Sequence, residues 1–142
     1  MAGRAKDNAA VERTLKVMVA EFPDSIGAVS SYSSWLSDKG RASEAFVLID
    51  AFQNRHPDDL GALYQVGRIA AVTGQQLDRG EQAFKKYLTL SPAPSDGSNA
   101  HYRLGNIYEK RGDKAAARAA YELAVKLNSR NEPAKKALVA LK

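Results

Sequence analysis

The chain has no cysteine, which excludes disulfides and thiolate metal sites and leaves the compartment open. It has no apolar run approaching the ~18 residues that cross a bilayer. The N-terminal stretch MAGRAKDNAAVERT has neither an apolar centre nor a small-residue cleavage pattern, so it does not read as a secretory signal; a leader removed beforehand would leave the same sequence. Histidine is scarce: His56 precedes Pro57 in a turn, and His101 sits at an expected packing position. Neither has a partner at metal-ligand spacing, so no metal site, cofactor or catalytic residue is expected. Asp58 and Asp59 are adjacent acids behind a proline, which helix capping explains better than acid–base work. The stretch GRIAAVTGQQ (67–76) has the glycines of a phosphate loop but lacks the Gly-Lys-Ser/Thr ending and a preceding strand. The chain is therefore read as non-enzymatic.

What is present fits one soluble globular domain, with the cytoplasm and the bacterial periplasm both open. The 142 residues are 44% hydrophobic and 26% charged, enough for a real core. The net charge of +5 is concentrated late: residues 101–142 carry 10 Lys/Arg against Glu109, Asp113, Glu122 and Glu132. An acidic partner or a nucleic acid is one reading of that excess, and a solvated face on the last helices is the plainer one. Lys85-Lys86 and Lys135-Lys136 are short, and no module mixing aromatic and basic residues accompanies them, so nucleic acid is not an expected partner.

Glycine and proline recur at a fixed interval. Pro23-Asp24 and Pro57-Asp58 are 34 residues apart, and Ser91-Pro92 follows 35 later. Gly40, Gly74 and Gly112 are separated by 34 and 38, and Ser33, Gly67 and Gly105 repeat those steps. The extra residues fit in SPAPSDGSN (91–99), a polar stretch predicted as a loop. Such a period signals a solenoid. Helical spacing between the markers predicts eight helices, over 8–21, 25–39, 42–55, 59–73, 77–90, 98–111, 114–128 and 131–141. Asp58 and Asp113 are the expected N-caps, and Gly40, Gly74 and Gly112 the left-handed closing residues. Trp35 aligns with Ile69 and Ile107 and is expected in the core.

The segment 98–129 resembles a tetratricopeptide repeat, with His101 at the usual tryptophan, the pair Leu104-Gly105, then Tyr108, Ala117, Tyr121 and Ala124. Weaker copies place Val66-Gly67, Gly80 and Phe84 in residues 59–92, and Tyr32-Ser33, Ala45 and Ile49 in 25–57. Residues 8–23 resemble a second helix alone, with Val11, Leu15 and Met18 on its apolar face, and 131–141 a capping helix. The resemblance implies an all-α fold, an α-solenoid of antiparallel helix pairs forming a single domain over 1–142. Small residues at Ser33, Gly67 and Gly105 are expected to face Ala45, Gly80 and Ala117, letting paired helices approach to roughly 8–10 Å. The lone second helix at the start is expected to mean a fragment of a longer chain; an N-terminal cap, or pairing with another copy, is the rival.

The resemblance implies a concave groove, lined by the first helix of each pair, that binds a peptide or helix of a protein partner. Helical geometry gives the same face: Ser30, Ser34 and Ser37 in the first pair, Tyr64, Gln65 and Arg68 in the second, Asn99, Tyr102, Arg103, Asn106 and Glu109 in the third. Arg68 and the serines depart from the family's usual residues and are the specificity candidates. Arg68 and Arg103 are each placed to receive a carboxylate as a charge-assisted pair. The subtype that grips chaperone tails needs lysine, asparagine, asparagine, lysine and arginine at places held here by Ser30, Ser34, Gln65, Asn99 and Arg103. Only Arg103 fits it outright, which argues against that function. The alternatives are an oligomerisation segment that self-associates through its terminal helices, and an accessory domain of a larger, enzymatic chain.

Overall fold

The computed structural model describes residues 2–90 and 92–142, with side chains from Asp7 onward. Ser91, part of the predicted 91–99 loop, lies outside the described residues. Among them there are eight helices and no strand: α1 (Ala2–Glu21), α2 (Ile26–Asp38), α3 (Ala42–Arg55), α4 (Leu60–Thr73), α5 (Leu77–Thr89), α6 (Pro94–Lys110), α7 (Lys114–Leu127) and α8 (Glu132–Ala140). Among the described residues no helix is long and apolar enough to cross a membrane.

Two starts differ from the expected ones. α6 begins at Pro94, so most of the predicted loop is helix. Proline is well suited to a first turn, where its fixed φ fits and no N–H is needed, and Asp96 complements the helix dipole there. α1 begins at Ala2, because alanine and lysine sustain a helix beyond its apolar pattern. The N-cap of α4 is Asp59, not Asp58: its carboxylate accepts from the Ala62 N–H at 3.0 Å. Asp113 caps α7 in the same way. Gly40, Gly74 and Gly112 close their helices at φ of 73°, 74° and 81°, conformations that favour glycine.

Packing defines which side is hollow. α2 packs on α3, α4 on α5, and α6 on α7. The first helices also pack on one another, α2 with α4 and α4 with α6, and each second helix packs on the next first helix. Among the described residues no comparably close approach joins α5 to α7, and α3 meets α5 through the long Arg79 side chain, which reaches Asp50, Gln53 and the Phe46 ring. Helices in mutual contact stand on the inside of a curve and those held apart on the outside, so α2, α4 and α6 face the concave side.

The tight approaches inside a pair are offset from the expected ones. Gly67 faces the Phe84 ring and Gly105 the Tyr121 ring, while Gly80 faces the Ala70 methyl group. Ile107 of α6 is next nearest to Gly80, and the carbonyl of Gly67 follows at 3.6 Å from where its Cβ would stand. In antiparallel helices the partner of a residue moves back along one helix as the residue moves forward along the other. Small residues one turn apart therefore each receive a different neighbour: Gly67 and Gly105 seat aromatic rings, while Gly80 takes an alanine methyl group. Phe84, Tyr121, Ile49, Ile69 and Ile107 are completely buried, each contributing roughly 1.5–3 kcal/mol. Trp35 is half-buried at the rim of the core rather than within it. Its indole reaches to the surface, where Lys39 Nζ and the Arg41 guanidinium lie 5.6 and 5.5 Å from the ring centre.

α1 packs on α2 through Leu15 and Val19, and Glu12 accepts from Tyr32 Oη at 2.9 Å and from Arg41 at 2.8 Å. Val11, which the sequence places on the apolar face, is exposed. It occupies the position of Ala45 and Gly80, the side of a second helix that meets its own first helix.

Candidate functional site

The concave side is a groove made of three adjoining cavities. The first, about 440 Å³, has Ser30 of α2, Tyr64 and Gln65 of α4, Tyr87 of α5, and Asp96 and Asn99 of α6 in its walls. The second, about 350 Å³, shares Tyr64 and Asn99 and adds Tyr102, Arg103 and the turn between α7 and α8. The third, about 640 Å³, shares Tyr102 with the second and runs past Asn106 and Glu109 to α8. Ser30, Tyr64, Gln65, Asn99, Tyr102, Arg103 and Asn106 thus stand together along one surface. Ser34 and Arg68 line none of these cavities.

Several of these side chains are held in place by the fold. Tyr64 packs edge-on against Phe84 and Tyr87, with ring centres 5.4 and 5.6 Å away. Asn106 donates through Nδ2 to Tyr121 Oη at 2.9 Å. Burial pushes the Tyr121 phenol well above its ordinary range and raises that of Tyr87, with the Asp96 charge adding to the latter. Both remain neutral hydrogen-bonding groups at physiological pH. Gln65 is buried, and its Oε1 accepts from Ser33 at 3.2 Å and Ser34 at 3.3 Å, tying α4 to α2. Ser37 is also buried and donates to the Ser33 carbonyl.

The arginines divide into two sets. Arg68 is mostly buried and donates to Asp38 at 3.3 Å, while its Nη1 is buried without a hydrogen-bond partner. Arg41, Arg55, Arg79 and Arg111 also hold carboxylates of neighbouring elements. The last forms a cluster with Tyr108, whose hydroxyl donates to Glu81 at 2.8 Å. Burial alone would raise the Glu81 carboxyl, but hydrogen bonds from Arg111, Lys85 and Tyr108 outweigh it and hold it at about 2. Arg103 belongs to the other set: its guanidinium lies 5.5 Å over the Tyr102 ring, and among the described residues no carboxylate approaches it.

Sequence reasoning missed the α7–α8 turn. Asn128, Arg130, Asn131 and Pro133 line the second cavity. The signal was the period itself: 34 residues after Ser98 and Asn99 come Glu132 and Pro133, so the capping helix starts as another first helix and contributes to the groove. Elsewhere, a mostly apolar cavity of about 370 Å³ between α5, α6 and α7 has Leu88, Leu104 and Leu123 in its walls beside His101, whose imidazole burial keeps less basic than usual. It lacks the converging polar groups of the groove. His56 lies outside both, bonded to Asp24 at 2.9 Å and packed on Phe52.

This arrangement, a stack of helix pairs with a hollow lined by first helices, is an α-solenoid of the kind that serves as a protein-interaction scaffold. Residues 98–131 match the family model of the tetratricopeptide repeat, so that segment is a tetratricopeptide repeat by sequence. A crystal structure of MamA shares that fold with a TM-score of 0.69 at 17% identity, covering 97% of this chain and 78% of that one. A second crystal structure of MamA protein gives 0.68 at 17% identity, covering 97% and 73%. No curated protein matches the sequence.

Proposed function

We propose that the chain is a non-enzymatic interaction module whose groove takes an extended peptide or short helix of a partner protein, along α2, α4 and α6. The repeats are read as 25–57, 59–92 and 98–129 of one unit, flanked by α1 and α8. The observation that carries this is the continuity of the three cavities through shared side chains, Tyr64 and Asn99 at one junction and Tyr102 at the next. Fixed aromatic faces supply contact area at little entropic cost, and the asparagines supply hydrogen bonds that set register. Peptides selected from a random display library on the wild-type protein, then measured on Asn99→Ala/Tyr102→Ala, test the reading. Loss of affinity on the variant is expected; equal affinity on both proteins overturns the groove assignment.

Self-association through the terminal helices is a second reading. It is favoured by Val11, Val17 and Phe22 on or beside α1 and Val139 on α8, all more than two-fifths exposed. Sedimentation across a concentration series separates the two. A monomer at every concentration removes this reading and leaves the groove.

A further inference from the structure

We propose that the middle cavity of the groove is an anchor for an internal aspartate or glutamate side chain of the bound peptide, gripped between Arg103 and Arg130. The inference rests on the groove reading and gives it a ligand chemistry.

Charge places the acid there. Five arginines elsewhere are neutralised by carboxylates from neighbouring elements, whereas Arg103 and Arg130 have no carboxylate within 4.0 Å among the described residues. These two line the same cavity, about 350 Å³, whose remaining walls are tyrosine, asparagine and proline with no acidic side chain. The cavities on either side do carry acids, Asp96 on one flank and Glu109 and Glu132 on the other. An anionic side chain is therefore favoured at the centre of the groove, where both charges are positive, over the flanks, where Asp96 stands on one side and Glu109 and Glu132 offset Lys136 on the other. Two planar guanidinium groups match the oxygens of a carboxylate, which accepts paired N–H donors.

The walls are held in place before any ligand arrives. The Arg103 guanidinium lies over the Tyr102 ring, 5.5 Å from its centre and within cation–π range, which favours that placement of the charge. Arg130 sits in the α7–α8 turn, where its backbone N–H donates to Asn128 Oδ1 at 3.0 Å. That turn is bolted to the helices beneath it. Asn131 Nδ2 donates to Ser98 Oγ at 2.8 Å, Ser98 donates to the Ala124 carbonyl at 2.6 Å, and Asn131 Oδ1 caps α8 through the Ala134 N–H. Asn131 is buried, so this network fastens the turn to both α6 and α7. Less ordering is then required when a peptide binds.

The test uses the whole chain and four pools of thirteen-residue peptides with acetylated and amidated ends. The central position is Glu, Asp, Gln or Lys, and all others are randomised. The Glu and Asp pools should bind wild type about tenfold tighter than the Gln pool, the effect of one charge-assisted pair. Arg103→Gln/Arg130→Gln should erase that difference, so that the variant binds the Glu, Asp and Gln pools equally. Arg13→Gln/Lys114→Gln, which removes the same charge from exposed positions elsewhere, should retain it. Equal binding of the Glu and Gln pools to wild type, or a preference that survives in Arg103→Gln/Arg130→Gln, overturns the anchor and leaves the groove standing. Binding of no pool overturns both. Recovery of affinity only with a free C-terminal carboxylate also overturns the proposal, in favour of a chain-end site.

Discussion

Gly105 lies directly beneath the ring of Tyr121, so close that a Cβ on the glycine would occupy the ring's own space. The glycine costs α6 about 1 kcal/mol of helix propensity relative to alanine. In return the ring seats fully against the helix backbone, and its hydroxyl accepts a hydrogen bond from Asn106 on the groove side. Gly105→Leu forces the ring out and should destabilise the protein by ~1–3 kcal/mol or more. Thermal unfolding checks it: an unchanged melting temperature would contradict the close approach of α6 and α7.

Gly67 stands in the same relation to Phe84. Gly67→Ala should therefore destabilise despite its gain in helix propensity, because the Phe84 ring is completely buried and has no room to retreat. A denaturant midpoint equal to or above that of wild type would show that the ring shifts without cost.

Glu81 binds α5 to α6 through Tyr108 and Arg111. Its carboxyl is held at about 2, below the ordinary value of 4.5. A depressed folded-state pKa means that the unfolded chain binds the proton more readily. The stabilisation is thus fully present above about pH 4.5 and fades as pH falls towards 2. Glu81→Gln should cost roughly 1–3 kcal/mol at neutral pH. The gap between variant and wild type should narrow steadily from pH 4.5 to 2 in chemical denaturation; a gap independent of pH would refute the role of the charge.

Asn131 is the link between α8 and the rest of the solenoid. Asn131→Ala removes the N-cap of α8 and leaves Ser98 without its donor, an expected loss of about 1–2 kcal/mol. Because α8 is the last helix, the loss should appear first as faster amide exchange in residues 132–140 and as weaker affinity of groove peptides. Exchange unchanged in α8 would show that this helix is held by other contacts.

The repeat period was legible because it is written in residue types that local backbone geometry demands. Gly40, Gly74 and Gly112 each hold a left-handed conformation, and the spacing of these glycines displays the helix pairs directly. The apolar pattern likewise placed most helix ends within a residue or two. The start of α6 was hidden because Ala-Pro-Ser-Asp-Gly has no apolar rhythm; its first turn is helical for reasons of φ and dipole, not burial. Gly67 and Gly80 do approach each other, but the tightest neighbours, Phe84 for Gly67, Ala70 for Gly80 and Tyr121 for Gly105, lie elsewhere, since a sequence gives the positions along each helix but not the register between two. In the groove, single-helix geometry found the side chains of α2, α4 and α6. It had no means of knowing that Asp38 reaches Arg68, or that the α7–α8 turn folds back beside Arg103. Both depend on contacts between segments some 30 residues apart.

Amide exchange of the protein with and without a bound, display-selected peptide tests the central claim most directly. Protection should appear in residues 99–106 of α6 and 128–133 of the following turn, extend to α4 around Tyr64, and leave α3 and the outer face of α5 unchanged. Protection confined to the outer helices, or to α1 and α8 alone, would contradict a concave groove as the place where this solenoid meets its partner.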